Sequence, residues 1–414
     1  MKSEILLQAI GHVRDEYIAE AIPGKKAKDK NKATKWVLMA ACTVLVCGIA
    51  FAVVQSGFFS SNNSGETLPK LAIDQNNFFG GGGMSFEGHM AHDIAELVNA
   101  NPWTADCKLK TLPVFRNTAV LDENGVVANM NMEAMKKRLL EIARRFDVKD
   151  AESKVKDNYP DEEEIRKATE KYAAVGQTVP NDFFRATRVY IQNGNMKIEV
   201  DSRLGTIIEY NPAVKLPQEY HFTYTANFNE MKNVAEYLKK EYRDLIAMNN
   251  PVTNIHGGEY TIYNQQSYNI SFYEKGKNQL QSILNYNFFP VEAYCDDNGE
   301  FYRLRICQSD LSQKIGDYPI ITVQEAERLL TEGKYITSVP EPFPGKEFIK
   351  KTELVYRTVY TQEIFLPFYR IYVEMPTMKR DYGLKTYGIF YVPAVEEKYL
   401  EKSPTWADMD MQGR

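Results

Sequence analysis

His89 and His92 stand three residues apart with Glu87 and Asp93 beside them, the one place in this sequence where imidazoles and carboxylates crowd together. Histidines at i and i+3 on a helical turn can offer two nitrogens to zinc, with a carboxylate as a third ligand. The approach to them is Gly-rich, from Gly80 to Gly83, and the ordinary reading is a polar helix start. His221 and His256 have no nucleophile beside them in sequence, although triads assemble in space rather than along the chain. No H-E-x-x-H, G-x-S-x-G or Walker pattern occurs, and no Gly-Lys-Ser/Thr follows the Gly run to make it a phosphate loop. The acidic turns Asp122 to Gly125 and Asp296 to Gly299 begin like calcium loops but neither continues into the full twelve-residue pattern; hairpin turns explain them better. No catalytic residue, metal or cofactor is expected, and the chain reads as a non-enzyme.

Two residue types remain that carry chemistry. Cys107, Cys295 and Cys307 are expected to be buried free thiols, because folding about Asn298-Gly299 sends Cys295 and Cys307 to opposite faces of a sheet. The 26 tyrosines raise a carbohydrate-binding reading, since aromatic faces stack on sugar rings. The plainer reading is that Tyr is a favoured strand residue with one side in the core and a tip in water. Three or more on one exposed face would favour wall or glycan binding.

These residues need elements to hold them, and the most distinctive element holds none of them. Trp36 to Val54 is nineteen residues without a charge. As a helix it is about 28 Å long against a hydrocarbon core of roughly 30 Å, so it can span a bilayer. Lys25, Lys26, Lys28, Lys30, Lys32 and Lys35 precede it, whereas the first charge after it is Glu66. That asymmetry puts the N-terminus in the cytoplasm and the rest outside. A cleaved signal peptide is the competing reading, through the A-x-A site at Ala50 and Ala52, but a 35-residue leading region with its own helical pattern is unusual for one. Lipoprotein processing at Cys42 or Cys47 fits less well, and both read as small apolar residues within the span.

Upstream, Ile5, Leu6, Ala9, Ile10, Val13, Tyr17 and Ile18 line one face of a helix that Pro23 and Gly24 stop. A lone helix of about eighteen residues is marginal in water, so its apolar face needs a partner protein, another copy or the bilayer surface. The candidate contact residues are Ile10, Val13 and Tyr17, offered to a cytoplasmic regulatory protein through residues 5–18. A frayed tail that merely precedes the span is the alternative. Residues 1–35 carry 8 Lys and Arg against 5 Asp and Glu, the remainder 42 against 50. An acidic remainder is a poor match for nucleic acid.

The fold class this gives is α+β: an N-terminal cytoplasmic helix, one transmembrane helix, then an ectodomain of two or three antiparallel-sheet-plus-helix units. The boundaries are 1–24 for the amphipathic helix, 25–35 for the basic segment, 36–54 for the span, and 55–102 for a flexible Ser/Asn/Gly linker with a short helix. Three units follow at 103–215, 216–315 and 316–400, then a tail, 401–414. Asn227 with Glu230 predicts an N-terminal capping box for a helix running through Leu238 to Ile246, and Thr322 with Glu325 another ending at Gly333. Further helices are expected near His92, Asn131 and Asp161. Asn193-Gly194 predicts a hairpin pairing Ile191 with Met196, Val189 with Ile198 and Thr187 with Val200; Asn298-Gly299 predicts Val291 with Ile306, Ala293 with Leu304 and Cys295 with Tyr302. Alternating runs at Tyr260 to Phe272, Glu353 to Val359, Ile364 to Val373 and Leu384 to Val392 read as strands.

The N-terminal layout, a helix with EYIAEA, a Lys-rich stretch and a span opening with Ala40-Ala41-Cys42, resembles membrane-bound regulators found beside sigma factors in Gram-positive bacteria. Through YIQNGNMKIEVD (190–201), EYTIYNQQSYNISFYE (259–274), TSVPEPFPGKEFIKKTELVYRT (337–358) and GLKTYGIFYVPAVEEKYL (383–400), the remainder is similar to a widespread group of single-pass membrane proteins of such bacteria. That group has no assigned activity, so the resemblance implies no site residues. Three functions follow as expectations: a membrane-tethered regulator or sensor with an extracytoplasmic ligand- or protein-binding domain; an envelope binding or assembly protein that is merely anchored; and, third, a hydrolase with an unrecognised site.

Overall fold

The computed structural model describes residues 68–79, 86–121, 127, 130–378 and 380–406. The chain divides between Leu68 and Pro69, and the unit from Pro69 onward holds nearly all of them. The expected cytoplasmic helix with Ile10, Val13 and Tyr17, the apolar segment 36–54 and the acidic turn at 122–125 lie outside the described residues. Among the described residues no helix is long and apolar enough to cross a membrane.

The unit is α+β with antiparallel sheets. It opens with β1 (Gly88–Ala91) and β2 (Thr111–Arg116), then α1 (Met132–Arg145), β3 (Lys156–Asp157) and α2 (Glu162–Ala173). A meander follows, β4 (Arg188–Asn193), β5 (Met196–Asp201) and β6 (Thr206–Val214), leading to α3 (Phe228–Glu241) and the single turn α4 (Arg243–Ile246). Next come β7 (Pro251–Tyr260), β8 (Gln266–Glu274), α5 (Gln279–Phe288), β9 (Val291–Cys295) and β10 (Phe301–Ile306). The chain ends with β11 (Lys314–Pro319), α6 (Val323–Thr331), β12 (Ile336–Thr337), β13 (Ile349–Tyr356), β14 (Ile364–Phe365), β15 (Pro367–Glu374) and β16 (Lys385–Pro393).

Helix starts follow the local chemistry. Asn131, Asp161, Asn227 and Thr322 each accept a backbone N–H of the first turn, and Glu164 and Glu230 return the bond to complete capping boxes. The helix expected near His92 is only a 3-10 turn, Ile94–Glu96, capped by Asp93. The hairpin about Gly194 pairs Asn193 with Met196, Ile191 with Ile198 and Val189 with Val200. The turn therefore centres one residue later than Asn193-Gly194, with Gly194 alone at φ 61, as a turn with Gly first requires. The slip is by two along the strand, so every side chain keeps its expected face. About Asn298-Gly299, Val291 meets Ile306 and Ala293 meets Leu304 as expected; a bulge then gives Cys295 to Phe301 rather than Tyr302. The run Tyr260 to Phe272 is broken by a turn at 261–265 and is the heart of a long hairpin.

Eight strands form one sheet in the order β3-β4-β5-β6-β10-β9-β8-β7. The boundary expected at 215 falls within it, because β6 pairs with β10 across some ninety residues of chain. A buried apolar row crosses seven of these strands: Ile191, Ile198, Ile208, Leu304, Ala293, Ile270 and Ile255 are successive cross-strand partners. That face is covered by α1, through Met135, Leu139 and Ile142, and by α3, through Met231, Val234 and Leu238. A second sheet, β1-β16-β15-β13 with β12 also on β16, and a three-stranded sheet, β11-β2-β14, complete the unit.

Part of the expected linker is fold, not tether. Leu71 forms a bridge with Leu400, and Phe78 is fully buried against Phe368 and Tyr391. Phe78, which the sequence already sets on the domain or at the membrane interface, and Leu71 are both buried, and their burial outweighs the ordering cost of the short Ser/Asn/Gly-rich stretch around them.

Candidate functional site

The eight-stranded sheet has a second face, and it is polar. Successive partners along one row are Asn254, Ser271, Glu292, Arg305, Ile207, Glu199 and Tyr190. On an open antiparallel sheet such a row would be a solvated surface. Over β7, β8 and β9 it is covered, and Asn254 and Ser271 are only 6% and 3% exposed. The covering wall is the second sheet, whose facing row runs Glu353, Arg370, Tyr391 across β13, β15 and β16. Between the walls lies a cavity of about 540 Å3.

The strap 97–101 holds the walls together along one side. Val98 and Gly257 exchange backbone hydrogen bonds at 3.0 and 3.2 Å. The Ala100 N–H donates to Asn254 Oδ1 at 2.7 Å, and its carbonyl accepts Tyr273 Oη at 2.8 Å. Towards the other wall, Asn99 Nδ2 donates to Glu353 Oε1 at 2.7 Å and Asn101 Nδ2 to the Leu354 carbonyl at 3.0 Å. Two glycines permit this crossing. Gly257 and Gly258 sit at φ 124 and 98, and a Cβ on Gly258 would stand 1.8 Å from the Glu96 carbonyl oxygen. Gly258→Ala is expected to cost well over about 1 kcal/mol, the ordinary penalty for Ala at positive φ, because a backbone clash adds to it. A lowered urea midpoint with an unchanged slope checks this.

The charges of the cleft are arranged in pairs. Glu353, 4% exposed, accepts from Lys351 at 2.8 Å, from Arg370 Nη2 at 2.5 Å and from Tyr372 Oη at 3.1 Å, besides Asn99. Burial would raise its carboxyl, but Arg370 and then Lys351 hold it at about 2. Arg357 donates to Glu87 at 2.8 Å, to Tyr391 Oη at 3.1 Å and to the Phe78 carbonyl at 3.0 Å. Glu292 accepts Tyr294 Oη at 2.5 Å and lies 3.4 Å from Arg305. Burial pushes Tyr286 up to about 12 and raises Tyr372 and Tyr391 further, so these phenols stay protonated donors at physiological pH.

His256 lies in this cleft, its pKa lowered chiefly by burial, so its imidazole is neutral at pH 7. Asn254 Nδ2 is 3.4 Å from His256 Nδ1. Ser271 Oγ is held by Asn254 Nδ2 at 2.9 Å, and no hydrogen bond joins it to His256. The arrangement therefore lacks the nucleophile–base contact of acyl transfer. What it can do is present fixed hydrogen-bonding groups to a ligand.

The acidic-histidine cluster of the sequence is dispersed. His89 enters the cleft, pairs through Nδ1 with Glu259 and stacks on Tyr372 at 5.9 Å. The bond from His89 is the main reason that the Glu259 carboxyl is lowered, against burial. His92 instead packs its ring edge on Tyr260, Asp93 caps the 3-10 turn, and Glu87 serves Arg357. No group of three or more His, Cys, Asp or Glu among the described residues is placed to hold a metal. His221 lies away from the cleft, with Nε2 3.1 Å from the Leu216 carbonyl. In the turn at Asp296 the carboxylate accepts the N–H groups of Asn298 and Glu300, both at 2.9 Å, as a hairpin turn does. Cys107, Cys295 and Cys307 are free thiols, Cys295 buried and the others half-buried.

The cleft residues Asn254, Ser271, Glu292, Glu353, Arg357 and Arg370 were not singled out from the sequence. The signal was present as polar residues alternating through β7 to β9, where the apolar alternation drew the reading. No family model matches this chain, and no curated protein is detectably similar to it.

Proposed function

We propose that the chain is a membrane-tethered regulator or sensor, single-pass with its N-terminus cytoplasmic, whose extracytoplasmic domain binds a ligand in the cleft between the two sheets. Segment 5–18 would then offer Ile10, Val13 and Tyr17 to a cytoplasmic regulatory protein. The cleft carries the reading: two ordered walls, pinned by one strap, enclose a polar space of a size usual for ligand sites. The charge-free stretch 36–54 and the six lysines before it support the tether. The engagement of Ser271 by Asn254 favours binding over hydrolysis.

The test separates this from an envelope binding protein that is merely anchored. In the full-length chain, Ile10→Asp with Val13→Asp should abolish co-purification of the cytoplasmic partner, since each change puts a charge into an apolar contact. A reporter fused after Arg414 should be active only outside the cytoplasm in both forms. Equal recovery by wild type and double mutant would leave the anchored reading, and a reporter active in the cytoplasm would remove both.

A further inference from the structure

We infer that the ligand of the cleft is a neutral oligosaccharide. This rests on the cleft being the ligand site, and adds its chemical class. A second cavity of about 770 Å3 adjoins the first and shares Asn287, Pro290, Glu292, Thr358 and Tyr360 with it. The two are one groove, which suits an extended ligand of several units rather than one small molecule.

Counted once each, five arginines of the groove stand against four carboxylates, and Glu353 and Glu87 stand behind Arg370 and Arg357. In the first cavity Arg357 and Arg370 stand against Glu259 and Glu292, with His256 neutral. The second adds Arg116, Arg203 and Arg305 and the carboxylates Asp201 and Asp310, and shares Glu292 with the first. Most are already engaged: Arg203 with Asp201 at 2.6 Å, Arg305 with Glu292 at 3.4 Å, Arg370 with Glu353 and Arg357 with Glu87. At these four pairs a charged ligand would have to displace one internal partner and strand the other, which is costly in a partly desolvated site.

Uncharged groups remain to make contacts. Asn269 lines the groove, and its carboxamide makes no hydrogen bond to a described residue. Thr358 adds a hydroxyl. Tyr360, 37% exposed, stands where the two cavities meet, with the Arg203 guanidinium 4.1 Å over one face of its ring. A carboxamide offers a donor and an acceptor side by side, matching neighbouring hydroxyls on a pyranose, and an aromatic face takes the ring's C–H side.

The test uses the full-length protein and titration calorimetry with a panel of neutral tetrasaccharides (chito-, cello-, malto- and xylo-), tetragalacturonate as the anionic counterpart, and an end-capped tetra-alanine peptide. At least one neutral sugar should bind, with affinity nearly unchanged when salt is raised about tenfold, because no ion pair forms. Tyr360→Ala and Asn269→Ala should each weaken it about fivefold or more without moving the melting temperature, and Tyr360→Phe should bind as wild type. Binding of the galacturonate or the peptide, lost in Tyr360→Ala, would overturn the sugar and keep the cleft as the ligand site. A neutral sugar whose binding both alanine variants leave intact would overturn the cleft itself. No binding by any neutral sugar overturns the inference.

Discussion

Glu353→Ala should be among the most destabilising single changes in the domain, lowering the unfolding free energy by about 3–5 kcal/mol, the cost of breaking a buried ion pair from one side. Lys351, Arg370, Tyr372 and Asn99 all donate to this one carboxylate, and the variant would leave the Arg370 guanidinium in the cleft wall without its counter-charge. Glu353→Gln keeps the shape and some of the bonds, and should lose less. The acid side of the stability curve gives a second readout. The folded carboxyl sits at about 2 against an ordinary 4.5, so the group favours the folded state. That contribution, roughly 3 kcal/mol, is fully present above the ordinary value and is lost as pH falls towards 2. Wild-type urea midpoints should therefore fall between about pH 4.5 and 2, and the variant should be lower at neutral pH with a shallower acid decline. Equal midpoints for wild type and Glu353→Ala at neutral pH would remove the carboxylate from its place as hub of the wall.

The capping residues and the strand alternation were legible because both are local. Asn227 with Glu230 satisfies helix N–H groups from three residues away, and Val291 meets Ile306 because one turn dictates their pairing. The cleft was not legible, because its walls come from pairings the chain does not announce. β6 pairs with β5 of its own expected unit on one side and with β10 on the other, and the two pairings together bring Glu199 and Arg305 into the same row. Asn99 reaches Glu353 across 254 residues and Ala100 reaches Asn254 across 154, so neither contact leaves a motif. His89 and His92 mark the same limit from the other side. Close in sequence, they point to different tasks, because β1 alternates its faces and the 3-10 turn redirects the chain immediately after it.

Phe78→Ala should be comparably severe, about 3–5 kcal/mol, although composition places Phe78 in a linker. Its side chain is 0% exposed, with ring centroids 5.1 Å from Phe368 and 5.3 Å from Tyr391, both at edge-on angles. The Arg357 guanidinium lies 4.9 Å from the same ring and also donates to the Phe78 carbonyl. Truncation would thus open a cavity against Phe368 of β15 and Tyr391 of β16 and remove the surface on which a cleft-lining arginine rests. Repacking cannot readily fill it, since Phe368 and Tyr391 are fixed by strand pairing. Phe79→Ala is the control: Phe79 is half-buried, and its loss should cost clearly less. Urea unfolding of the full-length chain, followed by tryptophan emission, suits both variants, because Trp103, one of three tryptophans, is 8% exposed and packs on Tyr369 of β15. A change under about 0.5 kcal/mol in Phe78→Ala, the range of ordinary surface substitutions, would return residues 69–79 to the tether and leave Arg357 held by Glu87 and Tyr391 alone.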